Sequence, residues 1–450
     1  MEDTKQRNHY ADHLAEINSS NEVRTSVDVV NEKGVIIVAA GVVITREIAD
    51  KIARFKLSQP LHNLVNLKES ITARKLHDQI RDLAESCQVI CAPKTVGFKE
   101  RLVRQCMRYG ALSSVVQKLT VLKDRLPDVY RNTLITSSIA LVMCDEMNLK
   151  EDAIHIIFIS TLMHDVGLLS IDPNLVNKKG KLDRTEWRTL QGHVVIGKVF
   201  LDMIPSLPKT VGRAVLEHHE RLDGTGYPKG KVSEEICSES QIIALADTVN
   251  AIYNNRLAPL GYSTRDLIPI LQMSSHVFPK ELHDTFLKVL KRSAYRSTRI
   301  IGNDNVRPII KFLVDLQKRL MLWFQQATQF CMQLSHSGVC VRTRQAMLMS
   351  EQLVKMINQS GLFTGSLKQW LLGLASGESV DDALELESIM LMFDEFCYQM
   401  QQFYKLMDLA AHGKDSAIEG ECSNLSTSLQ GIMSDRRQAL EQLKNTDTAA

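Results

Sequence analysis

A chain of 450 residues is too long for one compact core, so two or three domains are expected. With 54 basic and 52 acidic residues the net charge is +2, so no global field argues for binding polymeric nucleic acid. Apolar and charged fractions of 44% and 24% are ordinary for a soluble globular protein.

The opening residues, MEDTKQRNHYADHLAE, lack the apolar core of a signal peptide. No run of 18 apolar residues follows, so the expectation is a cytoplasmic protein without a membrane span. The nine cysteines are scattered and form no CxxC pair, which reads as reduced thiols. Cys87 and Cys91 have helical i, i+4 spacing, by itself a weak sign of a metal or redox site.

VRTSVDVV at 23–30 and NEKGVIIVAAGVVI at 31–44 predict two β-rich runs separated by the turn Asn31-Glu32-Lys33-Gly34. Thr45 is placed to N-cap a helix through about Phe55, with Ile48, Ile52 and Phe55 on its apolar side. LHNLVNL at 61–67 predicts a further strand. Residues 1–70 are thus a small α+β module with no chemical motif, and 71–124 a helical connector broken near Pro93 and Pro127.

Helices are then predicted over about 128–147 and 151–163, the second delivering His164 and Asp165 at its C-terminal end. Asp183 and Glu186 form a capping-box pattern for the helix carrying His193. Another helix, about 207–219, ends in His218 and His219. The following DGTGYP must be a loop, because two glycines and a proline cannot continue a helix. Asp247 falls in a helix over 241–255. After about residue 293 helix formers dominate, and 383–412 is strongly helical and rich in Met and aromatics, a face suited to a core or a partner interface. The last forty residues turn polar, with a short helix expected around 435–444.

His193 alone reads as a structural histidine; the chemical case rests on the set. His164, Asp165, His193, His218, His219 and Asp247 lie at or near the ends of successive helices that can converge inside a bundle. Imidazole and carboxylate donors together suit iron or manganese, and Asp165 can bridge two such ions. That arrangement acidifies a shared water and points to phosphodiester hydrolysis.

HDVG at 164–167, KLDRTEW at 181–187, QGHVVIG at 191–197, HHERLDGTGYP at 218–228, ALAD at 244–247 and FPKELHDTF at 278–286 stand in a telling order. Over about 125–292 the chain resembles the HD-GYP family, HD-domain phosphohydrolases that act on cyclic di-GMP and related cyclic dinucleotides. The resemblance implies a mainly α fold: an HD-domain helical bundle at 125–300, behind the N-terminal α+β module and ahead of an all-helical region at 301–450. It implies two divalent metals on His164, Asp165, His193, His218, His219 and Asp247, with Asp165 catalytic. Gly226, Tyr227 and Pro228 match the loop beside the substrate, and Arg256 matches an arginine that meets a phosphate. Asp223 reads equally as an orienter of a ligand histidine or as a turn former before Gly224, and Arg256 equally as a surface ion pair.

Three positions depart from the family pattern. Asn132 stands where the family has a histidine, Asp128 where it has an acidic ligand usually longer by a methylene, and Leu168 where it has a lysine. The ligands of one metal are intact, and the second site loses an imidazole and is expected to bind more weakly. The expected function is cyclic-dinucleotide phosphodiesterase activity in bacterial second-messenger signalling. The alternative is a catalytically impaired domain serving as nucleotide receptor or protein-interaction scaffold. The C-terminal helices are expected to support a homodimer or a protein partner.

Overall fold

The computed structural model describes residues 9–87, 97–275, 277–292, 300–336, 338, 340–374 and 380–446. Pro93 and Cys91, with any pairing of Cys91 to Cys87, lie outside them. The chain is mainly helical and separates into two compact units. The first comprises Met1–Glu220, Tyr227–Lys229 and Glu234–Asn250; the second comprises Arg221–Gly226, Gly230–Ser233 and Ala251–Ala450.

The first unit begins with α1 (Tyr10–Ile17) and the short strands β1 (Val23–Thr25), β2 (Val29–Val30) and β3 (Ile36–Val38). The Asn31–Gly34 turn joins β2 to β3 as an antiparallel pair, with Gly34 in the left-handed region. In α2 (Arg46–Ala53) the Thr45 side chain accepts from the Ile48 N–H, which is the predicted cap. A 3-10 turn at Leu61–Asn63 takes the first half of the predicted 61–67 strand. Only β4 (Val65–Leu67) is extended, pairing with β1.

The helical part of this unit follows as α3 (Ala73–Ser86), α4 (Phe98–Gly110), α5 (Ser113–Arg125), α6 (Pro127–Glu146) and α7 (Glu151–Met163). Pro127 opens α6 at a position where its missing N–H costs nothing. Both α6 and α7 are apolar nearly all round and are sheathed by neighbours, so Ile139, Leu141, Phe158 and Leu162 are fully or almost fully buried. Among the described residues one helical stretch, Glu151–Ser170, is long and apolar enough to cross a membrane; 67% of its apolar window is buried inside the protein, as in a core helix.

After a 3-10 turn (Val166–Ser170) come α8 (Pro173–Val176), α9 (Arg184–Gln191), α10 (His193–Asp202), α11 (Lys209–Glu217) and α12 (Ser238–Ile252). The Asp183/Glu186 capping box forms as predicted but serves α9, a separate helix from the one carrying His193. Gly192 closes α9 and caps α10, so His193 is the first residue of a new helix rather than an interior position. Gly197 faces Val215 so closely that an added Cβ would lie 3.0 Å from its methyl group, which lets α10 and α11 pack near backbone contact.

In the second unit α12 runs into a π-helical turn, Tyr253–Leu257, and on to α13 (Leu267–Met273) and α14 (Lys280–Arg292). The long helices α15 (Val306–His336), α16 (Val341–Ser360), α18 (Val380–Ala411) and α19 (Ser416–Thr446), with the shorter α17 (Gly365–Leu374), enclose their own core. Trp323, Phe330, Phe393, Phe396 and Phe403 fill it, and the Trp323 indole N–H donates to the Leu425 carbonyl at 2.9 Å. The Met-rich stretch of α18 is therefore largely core. The short helix expected at 435–444 is instead the end of α19, whose apolar Cys422, Leu425, Leu429 and Ile432 recur at helical spacing through a polar sequence.

Candidate metal centre

The first unit brings His164, Asp165, His193, His218, His219 and Asp247 together. His164 caps the C-terminus of α7 and Asp165 follows it; His193 opens α10; His218 caps α11, with His219 next; Asp247 lies within α12. Helix ends position them because a side chain there can point along the axis into the space where several helices meet.

The ligand atoms of Asp165, His193, His218 and His219 all lie within 4.8 Å of one another. The two oxygens of Asp165 face different neighbours: Oδ1 is 3.3 Å from His193 Nε2, and Oδ2 is 3.3 Å from His164 Nε2. His164 Nε2 is in turn 3.9 Å from Asp247 Oδ1. Asp165 thus joins a group of three histidines to a smaller group of His164 and Asp247.

Backbone contacts fix the rings. His164 Nδ1 is 2.7 Å from the Thr161 carbonyl, His193 Nδ1 is 2.6 Å from Leu190, and His218 Nδ1 is 2.7 Å from Val215. A carbonyl only accepts, so each Nδ1 donates and each Nε2 is turned inward toward the cluster. His193 Nε2 and His218 Nε2 are buried with no hydrogen-bond partner. Orphaned, pre-aimed imidazole nitrogens beside a shared carboxylate fit a divalent metal. His193, His218, His219 and Asp165 would hold one ion, and His164, Asp165 and Asp247 a second.

The electrostatics agree. Burial opposes a charge on His164, but the Asp165 carboxylate, and then Asp247, outweigh it and push its pKa up to about 9. Burial alone would raise the Asp165 pKa, yet His164, His193 and His218 hold it well below the usual carboxylate range. His218 is driven the other way, far below its ordinary value, by burial and by its neighbours His164 and His193. The centre therefore keeps Asp165 ionised and His218 neutral, the forms that bind a metal, while His164 holds a proton that a metal would displace.

Gly167 explains why HDVG has no side chain at its last position. An added Cβ would lie 2.0 Å from the His193 carbonyl oxygen, so the turn after Asp165 sits directly against the start of α10. Two buried glutamates that sequence reasoning missed anchor the other side. Glu217 accepts from Arg213 Nε at 2.9 Å and from the Cys237 N–H at 2.8 Å, and Glu220 accepts from the Lys229 N–H at 2.7 Å. Their position beside the paired histidines was the only signal in the sequence. Tyr227 stacks on His219, ring centroids 4.7 Å apart at 27°, and its N–H donates to the His219 carbonyl at 3.2 Å.

Of the residues read as substrate-binding, Tyr227 and Pro228 belong to the first unit, and Gly226 and Arg256 to the second. Arg256 pairs there with Glu395 of α18 at 2.6 Å. Asp223 accepts from the Thr225 N–H at 3.0 Å, the turn-forming role. Asp128 and Asn132 are exposed on the first turns of α6, and Asn250 Nδ2 is 3.5 Å from Asn132 Oδ1. Leu168 is half-buried in the 3-10 turn after Asp165.

Residues 118–277 match the HD domain family. The chain is 27% identical to 3'3'-cGAMP-specific phosphodiesterase 3 of Vibrio cholerae over 45% of its own length and 47% of that protein. It is 35% identical to the cyclic di-GMP phosphodiesterase response regulator RpfG of Xanthomonas campestris over 27% of its length and 32% of that protein. A cyclic di-GMP phosphodiesterase of Thermotoga maritima is 29% identical over 40% of this chain and 50% of that protein. The chain thus spans about half or less of the length of these curated relatives. His164, Asp165, His193, His218, His219 and Asp247 all fall within residues 118–277, the stretch that matches the HD domain family.

Proposed function

We propose that the protein is a metal-dependent phosphodiesterase that opens cyclic di-GMP or a related cyclic dinucleotide to a linear product, acting in the cytoplasm. One observation carries the reading: the two oxygens of Asp165 are each 3.3 Å from a different histidine, one in each of two ligand groups. A carboxylate so placed would help hold two ions, which would supply the paired charge that in-line phosphoryl displacement uses. The ions, iron or manganese by their donor set, would lower the pKa of a water and balance phosphate charge when bound.

The chain's own residues do the rest. Asp165 is held ionised between His164 and His193, so both of its oxygens stay available as ligand atoms. Tyr227, stacked on His219, closes one side of the cluster, and the Glu220 bond to the Lys229 N–H fixes the following loop. The weaker of the two metal sites is the one built on His164 and Asp247, where Asn132 replaces an imidazole. Pairing with a second copy or another protein through the C-terminal helices is part of the same reading. Light scattering on the full chain tests that pairing.

The experiment for the activity uses protein purified anaerobically with manganese or ferrous iron and incubated with cyclic di-GMP and with cyclic GMP-AMP. Bound metal and linear product are quantified beside the double variant His218→Ala/His219→Ala. Turnover that disappears in the double variant supports the enzyme. Bound metal without product from either nucleotide, with both metals, overturns it and leaves a receptor or scaffold.

A further inference from the structure

We propose that Trp187 is the platform on which a purine base of the substrate stacks, making it a specificity-determining residue of the centre. The inference rests on the phosphodiesterase reading and deepens it by naming where the base goes. Trp187 projects from α9, a helix with no buried residue, and keeps 48% of its surface exposed. Its indole meets the Tyr227 ring edge-on, with centroids 6.2 Å apart at 74°. Tyr227 in turn stacks on His219, one of the four clustered ligands. A file of three rings therefore leads from the cluster to an indole with about half of its surface open.

The contacts that cap and brace α9 do not involve the indole. The helix is held by its capping box and by the Lys178–Glu186 ion pair at 2.6 Å, both polar. A nucleotide whose phosphate sits at the cluster carries its base one sugar away, the kind of reach that the ring file spans. Base–aromatic stacking tolerates either purine, so Trp187 would select nucleotides over simple phosphodiesters without separating guanine from adenine.

The test compares full-length wild type, Trp187→Ala and Trp187→Phe, each loaded with manganese. The readouts are cyclic di-GMP turnover, cyclic GMP-AMP turnover, inhibition by inorganic phosphate, and quenching of tryptophan fluorescence by cyclic di-GMP. For Trp187→Ala, KM should rise about 5- to 100-fold for both nucleotides, with a smaller change in kcat. Trp187→Phe should recover much of the loss, because it restores a ring. Inhibition by phosphate should be unchanged, and the quenching seen in wild type should vanish in both variants. An unchanged KM in Trp187→Ala overturns the inference and leaves the enzyme reading standing. Equal weakening of phosphate inhibition also overturns it, since the indole would then be supporting the centre rather than the base. A wild type that binds manganese but turns over neither nucleotide overturns both.

Discussion

Arg256 and Glu395 form an ion pair, Nη1 to Oε2 at 2.6 Å, that ties the π-helical turn after α12 to the middle of α18. Glu395 is only 3% exposed there, and its other oxygen accepts from Gln399 at 2.6 Å. Arg256→Ala would leave a buried carboxylate without its cation. A fully buried pair broken this way costs about 3–5 kcal/mol, and the 26% exposure of Arg256 reduces the expected loss to about 2 kcal/mol. Urea unfolding should show that loss for Arg256→Ala, and a smaller one for the double variant Arg256→Ala/Glu395→Gln. A double variant no more stable than Arg256→Ala would mean that the unpaired Glu395 carboxylate is not the source of the loss.

Gly167→Ala should be among the most damaging single-methyl changes in the chain. The new Cβ would stand 2.0 Å from the His193 carbonyl oxygen, which is backbone and cannot swing aside. Overpacking of this kind costs about 1–3 kcal/mol or more, and here the displaced group carries a ligand. Thermal melting should fall, and metal content by elemental analysis should fall with it. A variant that melts lower yet binds its full complement of metal would show that the turn and α10 can separate without moving His193.

Two histidines distant from the centre set an acid limit on stability. Burial above all, with the nearby Lys118 cation, lowers His62 to a pKa of about 4. Burial, then Arg125 and Lys118, lowers His13 to about 4 as well. In the unfolded chain both titrate near 6.5, so between pH 6.5 and 4 the unfolded state binds protons that the folded state refuses. Stability is therefore fully present above pH 6.5 and declines as pH falls through that window, by up to roughly 3 kcal/mol per ring. Chemical denaturation from pH 7 to 4 should show the decline, and His62→Phe should flatten it; an unchanged slope in that variant would remove His62 as a cause.

The departures at Leu168 and Asn132 can be reversed. Leu168→Lys places a cation in the turn after Asp165, where it can answer charge developing on phosphate, and should raise kcat by about tenfold or more. Asn132→His should raise occupancy of the second metal, measured as ions per chain at limiting manganese. If Leu168→Lys leaves kcat unchanged, the leucine is not what limits turnover.

The cluster of histidines and carboxylates was legible in the sequence because these side chains are chemically distinctive and all but Asp247 fall at helix ends that periodicity and breakers mark. The helix bounds of α7 and the Thr45 cap were legible for the same reason. The break at Gly192 was not, since a glycine inside a periodic stretch is compatible with a continuous helix until tertiary packing decides. The length of α19 was hidden by a polar composition whose apolar stripe is only one residue wide. Arg256 shows a different limit. Its charge was obvious, but its partner lies 139 positions along the chain, and no local pattern reports a contact at that distance.

Each of His164, His193 and His218 points its Nδ1 at a carbonyl three residues earlier. The hydrogen bond that selects the tautomer is thus made within the residue's own local segment, so it forms as soon as that turn of chain does. A cation entering the cluster would find the three rings already oriented. Ring orientation in the cluster is thus a property of the polypeptide alone.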